Sequence, residues 1–187
     1  LLLVLFAVGP RPLSARVQSA LLSIVMLFAA SIGLGRSFVA EQEGGTTLLL
    51  RLNTRPSMVF SGKLLFNLLL VGGLTLLATF TFLLLLDITV RTPGLLAAVL
   101  TLGGVGLAVS TTLLAALVAR AARQGPLLPV LLLPLLVPLL VSGTSATRKA
   151  IVGQPWVQAQ DELLTLFGFA GATLSAAVVL FAYVWEE

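Results

Sequence analysis

Histidine and cysteine are both absent from the 187 residues, tyrosine occurs once, and methionine and tryptophan occur twice each. Without cysteine there is no disulfide, no thiolate metal site and no covalent c-type haem attachment. Without histidine the commonest general base and metal ligand is missing too. Charge is scarce: Asp, Glu, Lys and Arg make up 10% of the chain, against roughly 25% in soluble domains. No nucleophile, base and orienting group come together by spacing. Asp87, the one acid near the middle of the chain, stands beside Thr89 and Arg91 where an apolar block ends, and reads as an ordinary helix-terminal charge. Acids of the proton-relay kind are missing inside the apolar blocks, which argues against a proton-coupled secondary transporter. Gly62-Lys63-Leu64 has neither the upstream glycine nor the following Ser or Thr of a P-loop. The sequence therefore predicts no catalytic residue, no metal site, no directly bound cofactor, and a chain that is not an enzyme by itself.

What is present is apolar. Hydrophobic residues make up 58% of the chain, and the mean hydropathy is +1.12. They run in unbroken blocks rather than recurring on one helix face, the pattern of segments surrounded by lipid or by other helices. The net charge of +4 comes from eleven Lys and Arg residues scattered between these blocks, which predicts no nucleic-acid partner. A crossing needs about 20 apolar residues, with a range of about 17–25. Blocks 19–35, 64–86, 95–119 and 163–185 meet this, and 127–141 is a shorter fifth. The opening run 1–8 lacks the basic flank of a signal peptide and reads as the end of a truncated first helix. The expectation is an all-α polytopic membrane protein with six transmembrane helices, the first truncated, forming a single domain over residues 1–187.

The fifth block carries Pro129, Pro134 and Pro138. Prolines free carbonyls that lipid cannot satisfy, so this span is expected inside the bundle. Gly103, Gly104 and Gly106, and the pair Gly168 and Gly171, are candidates for close helix packing, with Gly168 and Ala172 the best small-xxx-small spacing. The segment 142–162, with Arg148, Lys149, Asp161 and Glu162, reads as a polar loop in which Trp156 anchors at the headgroup level. With segment 36–63 inside, six basic residues face the cytoplasm (Arg36, Arg51, Arg55, Lys63, Arg120, Arg123) and five face out (Arg11, Arg16, Arg91, Arg148, Lys149). The charge bias alone leaves orientation open.

Segment 36–63 is the most informative. Leu48, Leu49 and Leu52 share one helical face, with Arg51 and Arg55 on another. That pattern fits either a surface helix that joins two spans or a coupling helix that docks on a cytoplasmic partner.

Three places carry a resemblance. Arg36-Ser37-Phe38 is followed by Glu41, Glu43 and Gly44; a proline, Pro56, leads to Gly62-Lys63 and an apolar span; and Leu133-Pro134-Leu135-Leu136-Val137-Pro138 places two prolines four residues apart. In these the chain resembles the haem exporter protein B family (CcmB) over nearly all its length, departing at Thr47, where an acidic residue is expected. The resemblance implies the permease half of an ABC transporter complex for cytochrome c maturation in the bacterial inner membrane. It implies ATP hydrolysis on a separate ABC ATPase subunit, coupled through Arg36, Phe38, Glu41, Glu43, Gly44, Leu48, Leu49, Leu52, Arg55 and Lys63, with Pro134 and Pro138 in a kinked fifth span. Haem would be handled by the complex, or its loaded chaperone released by ATP. The implied partners are a haem-handling membrane subunit, a small single-span subunit, a periplasmic haem chaperone and a second copy in a homodimer. An ABC-2-like permease exporting a lipid, glycan or drug, and a non-transporting membrane scaffold, stay open as alternatives.

Overall fold

In lipid every backbone N–H and C=O needs a protein partner, and a helix supplies those partners within one segment. The computed structural model describes residues 13–28, 56–119 and 127–186; among them every regular element is helical and there is no strand. In chain order these are α1 Ala15–Phe28, α2 Pro56–Leu85, α3 Pro93–Ala119, α4 Leu127–Val152, a 3-10 turn Trp156–Ala159 and α5 Gln160–Glu186. The last four helices are each long and apolar enough to cross a membrane. They correspond to the third to sixth expected spans. The second expected span is described only over α1, and the truncated first lies outside the described residues.

The helices end through identifiable backbone devices. Asp87 adopts φ 48°, and the Ile88 N–H reaches the Leu83 carbonyl at 3.1 Å, so α2 closes in a Schellman turn. Asp tolerates the left-handed region that most side chains avoid. The expectation of a helix-terminal position for Asp87 is met. Helix α4 ends the same way at Gly153, φ 89°, with the Gln154 N–H on the Lys149 carbonyl at 2.9 Å. Pro93 opens α3, where its fixed φ suits a helix start and its missing N–H costs nothing.

α3 is the innermost helix. Within its apolar window 61% of the residues are buried, against 22% in α2 and in α5. A small residue permits the closest of these contacts: Gly106 is buried on α3, where neighbours approach from two sides. Leu139 of α4 packs directly on Gly106, and Phe169 of α5 closes on the same point at 3.4 Å from where a Cβ would stand. Outside, Leu69, Leu76, Leu77 and Phe80 of α2, and Leu164, Phe167 and Val179 of α5, are exposed, as lipid-facing surfaces require. Thr111, Thr112 and Thr173 donate their hydroxyls to carbonyls one turn back in their own helices, so they enter the bundle with their protons satisfied.

Three expectations are corrected. The polar stretch 142–162 is not a loop: α4 continues to Val152, and only Gly153 to Pro155 separate it from the 3-10 turn. Hydroxyls and basic side chains in 142–149 hid a helix that leaves the hydrocarbon. The proline span is also not the innermost, because Pro134 and Pro138 are both exposed while Leu136 and Leu139 carry the packing. The rings occupy the outward face, where they displace no packing atoms. Finally, among the expected small-residue contacts only Gly106 is a close approach; Gly103, Gly104, Gly168 and Gly171 have nothing within 4 Å of a Cβ position.

Candidate functional site

The expected coupling residues Arg36, Phe38, Glu41, Glu43, Gly44, Leu48, Leu49, Leu52 and Arg55 lie outside the described residues. Lys63 is described and lies half-buried, two turns into α2. The helix runs unbroken from Pro56 through Lys63 to Leu85, so the last part of the expected loop is the start of a membrane helix. Thirty residues at about 1.5 Å each give about 45 Å, well beyond a hydrocarbon core of about 30 Å. α2 therefore extends past the membrane, and Lys63 belongs to a rigid rod.

A buried polar contact ties that rod to the centre of the bundle. Asn67 Nδ2 donates to Thr112 Oγ1 at 2.7 Å, with both residues at 0% exposure, while the Thr112 hydroxyl donates to the Ala108 carbonyl at 2.6 Å. Asn67 Oδ1 and, elsewhere on α3, Ser110 Oγ are buried without a partner among the described residues. A directional bond from a half-satisfied amide is a costly thing to bury in lipid and fixes the register of α2 on α3.

In α4 the helix passes through both prolines. Pro138 cannot donate to the Pro134 carbonyl, nor Pro134 to that of Val130, so two rungs of the helix are missing on the exposed side. On the other side a void of about 30 Å³ lies between α1, α3 and α4, lined by Ser23, Gly103, Leu139, Gly143 and Thr147 among others. It has room for one water. The missing rungs and the void fall on opposite sides of the same stretch of α4, where a kink is least opposed by backbone hydrogen bonds.

The start of α3, the end of α4, the 3-10 turn and the start of α5 form a tightly knit cap. The Thr92 N–H and hydroxyl both donate to the Ala150 carbonyl, at 3.1 and 2.9 Å. Lys149 Nζ meets Glu162 Oε1 at 2.5 Å, and Ser145 Oγ donates to the same oxygen at 2.8 Å. Lys149 also donates to the Gln158 carbonyl. Trp156 is half exposed and lies against Gly94, at 3.3 Å from a Cβ position. Sequence reading missed this cluster because Ser145 and Lys149 share a face only once 142–152 is helical. Among the described residues no group of three His, Cys, Asp or Glu side chains is placed to hold a metal.

A family model described as CcmB protein matches residues 1–184. The chain belongs to the CcmB family. It is 34% identical over 150 residues to a heme exporter protein B of Bradyrhizobium diazoefficiens, covering 79% of this chain and 68% of that protein. It is 35% identical over 182 residues to a heme exporter protein B of Rhodobacter capsulatus, covering 96% of this chain and 81% of that one. No solved structure matches. The CcmB match spans both the segment 36–63 and the proline pair, so the motifs behind the resemblance fall within the family region.

Proposed function

We propose that this chain is the membrane permease subunit of the ABC-type complex that serves cytochrome c maturation, in the bacterial inner membrane. The observation that carries the reading is the family match over residues 1–184, with relatives named heme exporter protein B. The four long apolar helices support a multi-pass permease.

ATP is hydrolysed on a separate subunit docked at the cytoplasmic segment 36–63. Movement of that segment reaches the bundle along α2, which begins at Pro56 and carries Lys63 and Asn67 on one continuous helix. Asn67 passes it to α3 through Thr112, and α4 responds at its proline pair. Such a cycle requires the nucleotide state to interact differently with two permease conformations. Haem, if it contacts this chain, meets no His or Cys ligand; apolar helix faces and cationic side chains are what the chain offers. A mechanical role, release of a haem-loaded chaperone, needs no ligand.

The test is co-purification from native membranes in mild detergent, with subunits identified by mass spectrometry. The expected result is an ABC ATPase together with cytochrome c maturation subunits. An ATPase without them would point to another exported substrate, and no ATPase would favour a scaffold. In the same background the double substitution Leu48→Lys with Leu49→Lys is expected to leave the protein in the membrane and abolish cytochrome c maturation; normal cytochrome c would refute coupling through this segment.

A further inference from the structure

The N-terminal turn of α1 and the last turns of α4 leave an open groove of about 380 Å³ between them, lined by Arg16 and Ser19 of α1 and by Val141, Thr144, Ser145 and Arg148 of α4 among others. We propose that this groove holds the headgroup of an acidic phospholipid, with its phosphate between Arg16 and Arg148.

Polarity along the groove favours an amphiphile. On α4, Val137, Val141, Ser145 and Arg148 fall at i, i+4, i+8 and i+11, one face of a helix. The two valines are 52% and 65% exposed, and the arginine stands two turns further on. The same face thus passes from hydrocarbon to cation over about 16 Å of helix, the length scale on which a membrane passes from acyl chain to phosphate. α1 repeats the gradient in the opposite direction: Arg16 opens it, and Ile24 and Phe28 are exposed deeper in the span. An acyl chain running between Val137 and Val141 brings its headgroup to the two guanidiniums.

The charge is available. Among the described residues neither Arg16 nor Arg148 has an ion-pair partner. The acid nearest the groove, Glu162, is neutralised by Lys149 and accepts from Ser145. Two guanidiniums from different helices line one groove, while the Ser19 and Thr144 hydroxyls there already donate to the Arg16 carbonyl and to Ser23 Oγ; the cations alone therefore make a site that prefers an anionic phospholipid to one of no net charge. It also explains how α1 is held at this end: its one described side-chain bond to α4 is Thr144 to Ser23, at 2.9 Å, and a bridging anion supplies a second tie. The proposal rests on the membrane-spanning reading alone and is independent of which ATPase or cargo the permease serves.

Native mass spectrometry of the full chain in detergent, titrated with phosphatidylglycerol or phosphatidylcholine of identical acyl chains, tests it. The wild type is expected to prefer phosphatidylglycerol by about tenfold, falling as salt rises. Arg16→Gln with Arg148→Gln should abolish the preference. Arg16→Lys with Arg148→Lys should keep most of it, and Arg91→Gln, a cation of the same end outside the groove, should leave it unchanged. Single Gln variants should fall between, which preserves the test if the double variant fails to fold. No preference in the wild type, or its survival in the Gln variants, would overturn the proposal. So would an equal loss in Arg91→Gln, which would mean diffuse surface charge. Ferric protoporphyrin is titrated in parallel: if the Gln variants lose it and keep the phosphatidylglycerol preference, the groove serves haem carboxylates and the lipid site is refuted.

Discussion

Leu139 of α4 fills the space that a side chain on Gly106 of α3 would need. This contact sets how closely the two helices lie, and Phe169 of α5 packs against the same spot, so three helices meet on one hydrogen atom. Gly106→Ala is expected to push Leu139 aside and destabilise the bundle by about 1–3 kcal/mol. Gly103→Ala meets nothing within 4 Å and should be neutral or stabilising by up to about 1 kcal/mol. Melting midpoints in one detergent compare them, and adding Leu139→Val to Gly106→Ala should restore part of the loss. Equal behaviour of the two alanines would disprove this packing.

Lys149 and Glu162 close the cap between α4 and α5, each with 16% of its side chain exposed. Glu162→Gln keeps the shape and an acceptor oxygen but removes the charge, so Lys149 loses its ion pair and keeps only neutral acceptors. The expected cost is about 1.5–3 kcal/mol, with Ser145→Ala costing less. A double-mutant cycle with Lys149→Met should show coupling between 149 and 162, and a coupling near zero would remove the ion pair from the fold's determinants.

Gly153 combines a positive φ with crowding, since a Cβ there would stand 2.8 Å from Arg91 Cβ. Gly153→Ala is expected to cost about 1–3 kcal/mol through the backbone. Arg91→Ala retains the offending Cβ and should not rescue it. Hydrogen exchange localises the effect: protection should fall in the 86–92 turn and the last turn of α4 first, because Thr92 holds the Ala150 carbonyl.

Asn67→Ala removes a buried polar tie between α2 and α3. In membrane proteins such bonds are worth about 0.6–2 kcal/mol, so a modest loss in melting midpoint is expected. Under the proposed mechanism the loss of cytochrome c maturation should exceed what that midpoint predicts, and Thr112→Val should match it. Normal maturation in both variants would place the transmission path elsewhere.

The membrane class, the helix content and four crossing positions were legible because lipid leaves a chain so few options: uninterrupted apolar blocks must be helices, and charge or proline marks where they leave the hydrocarbon. The Arg-x-Phe, Gly-Lys and double-proline motifs carried the family. The cap was not legible. Ser145, Lys149, Gln158 and Glu162 look like loop residues in order, and they become a cluster only when α4 runs on to Val152 and turns at Gly153. The groove at Arg16 and Arg148 was invisible for the same reason, because its two cations are more than a hundred residues apart.

The sequence by itself determined that this chain lives in a membrane as helices, since that follows from solvation of the backbone alone. Which helix is innermost was decided by the tertiary structure. Proline, read along the chain, predicted α4; volume, measured between helices, selected α3, because glycine, alanine, serine and threonine let three neighbours approach while prolines cost least on an outward face. Solvation is a property of each segment, and packing is a property of pairs.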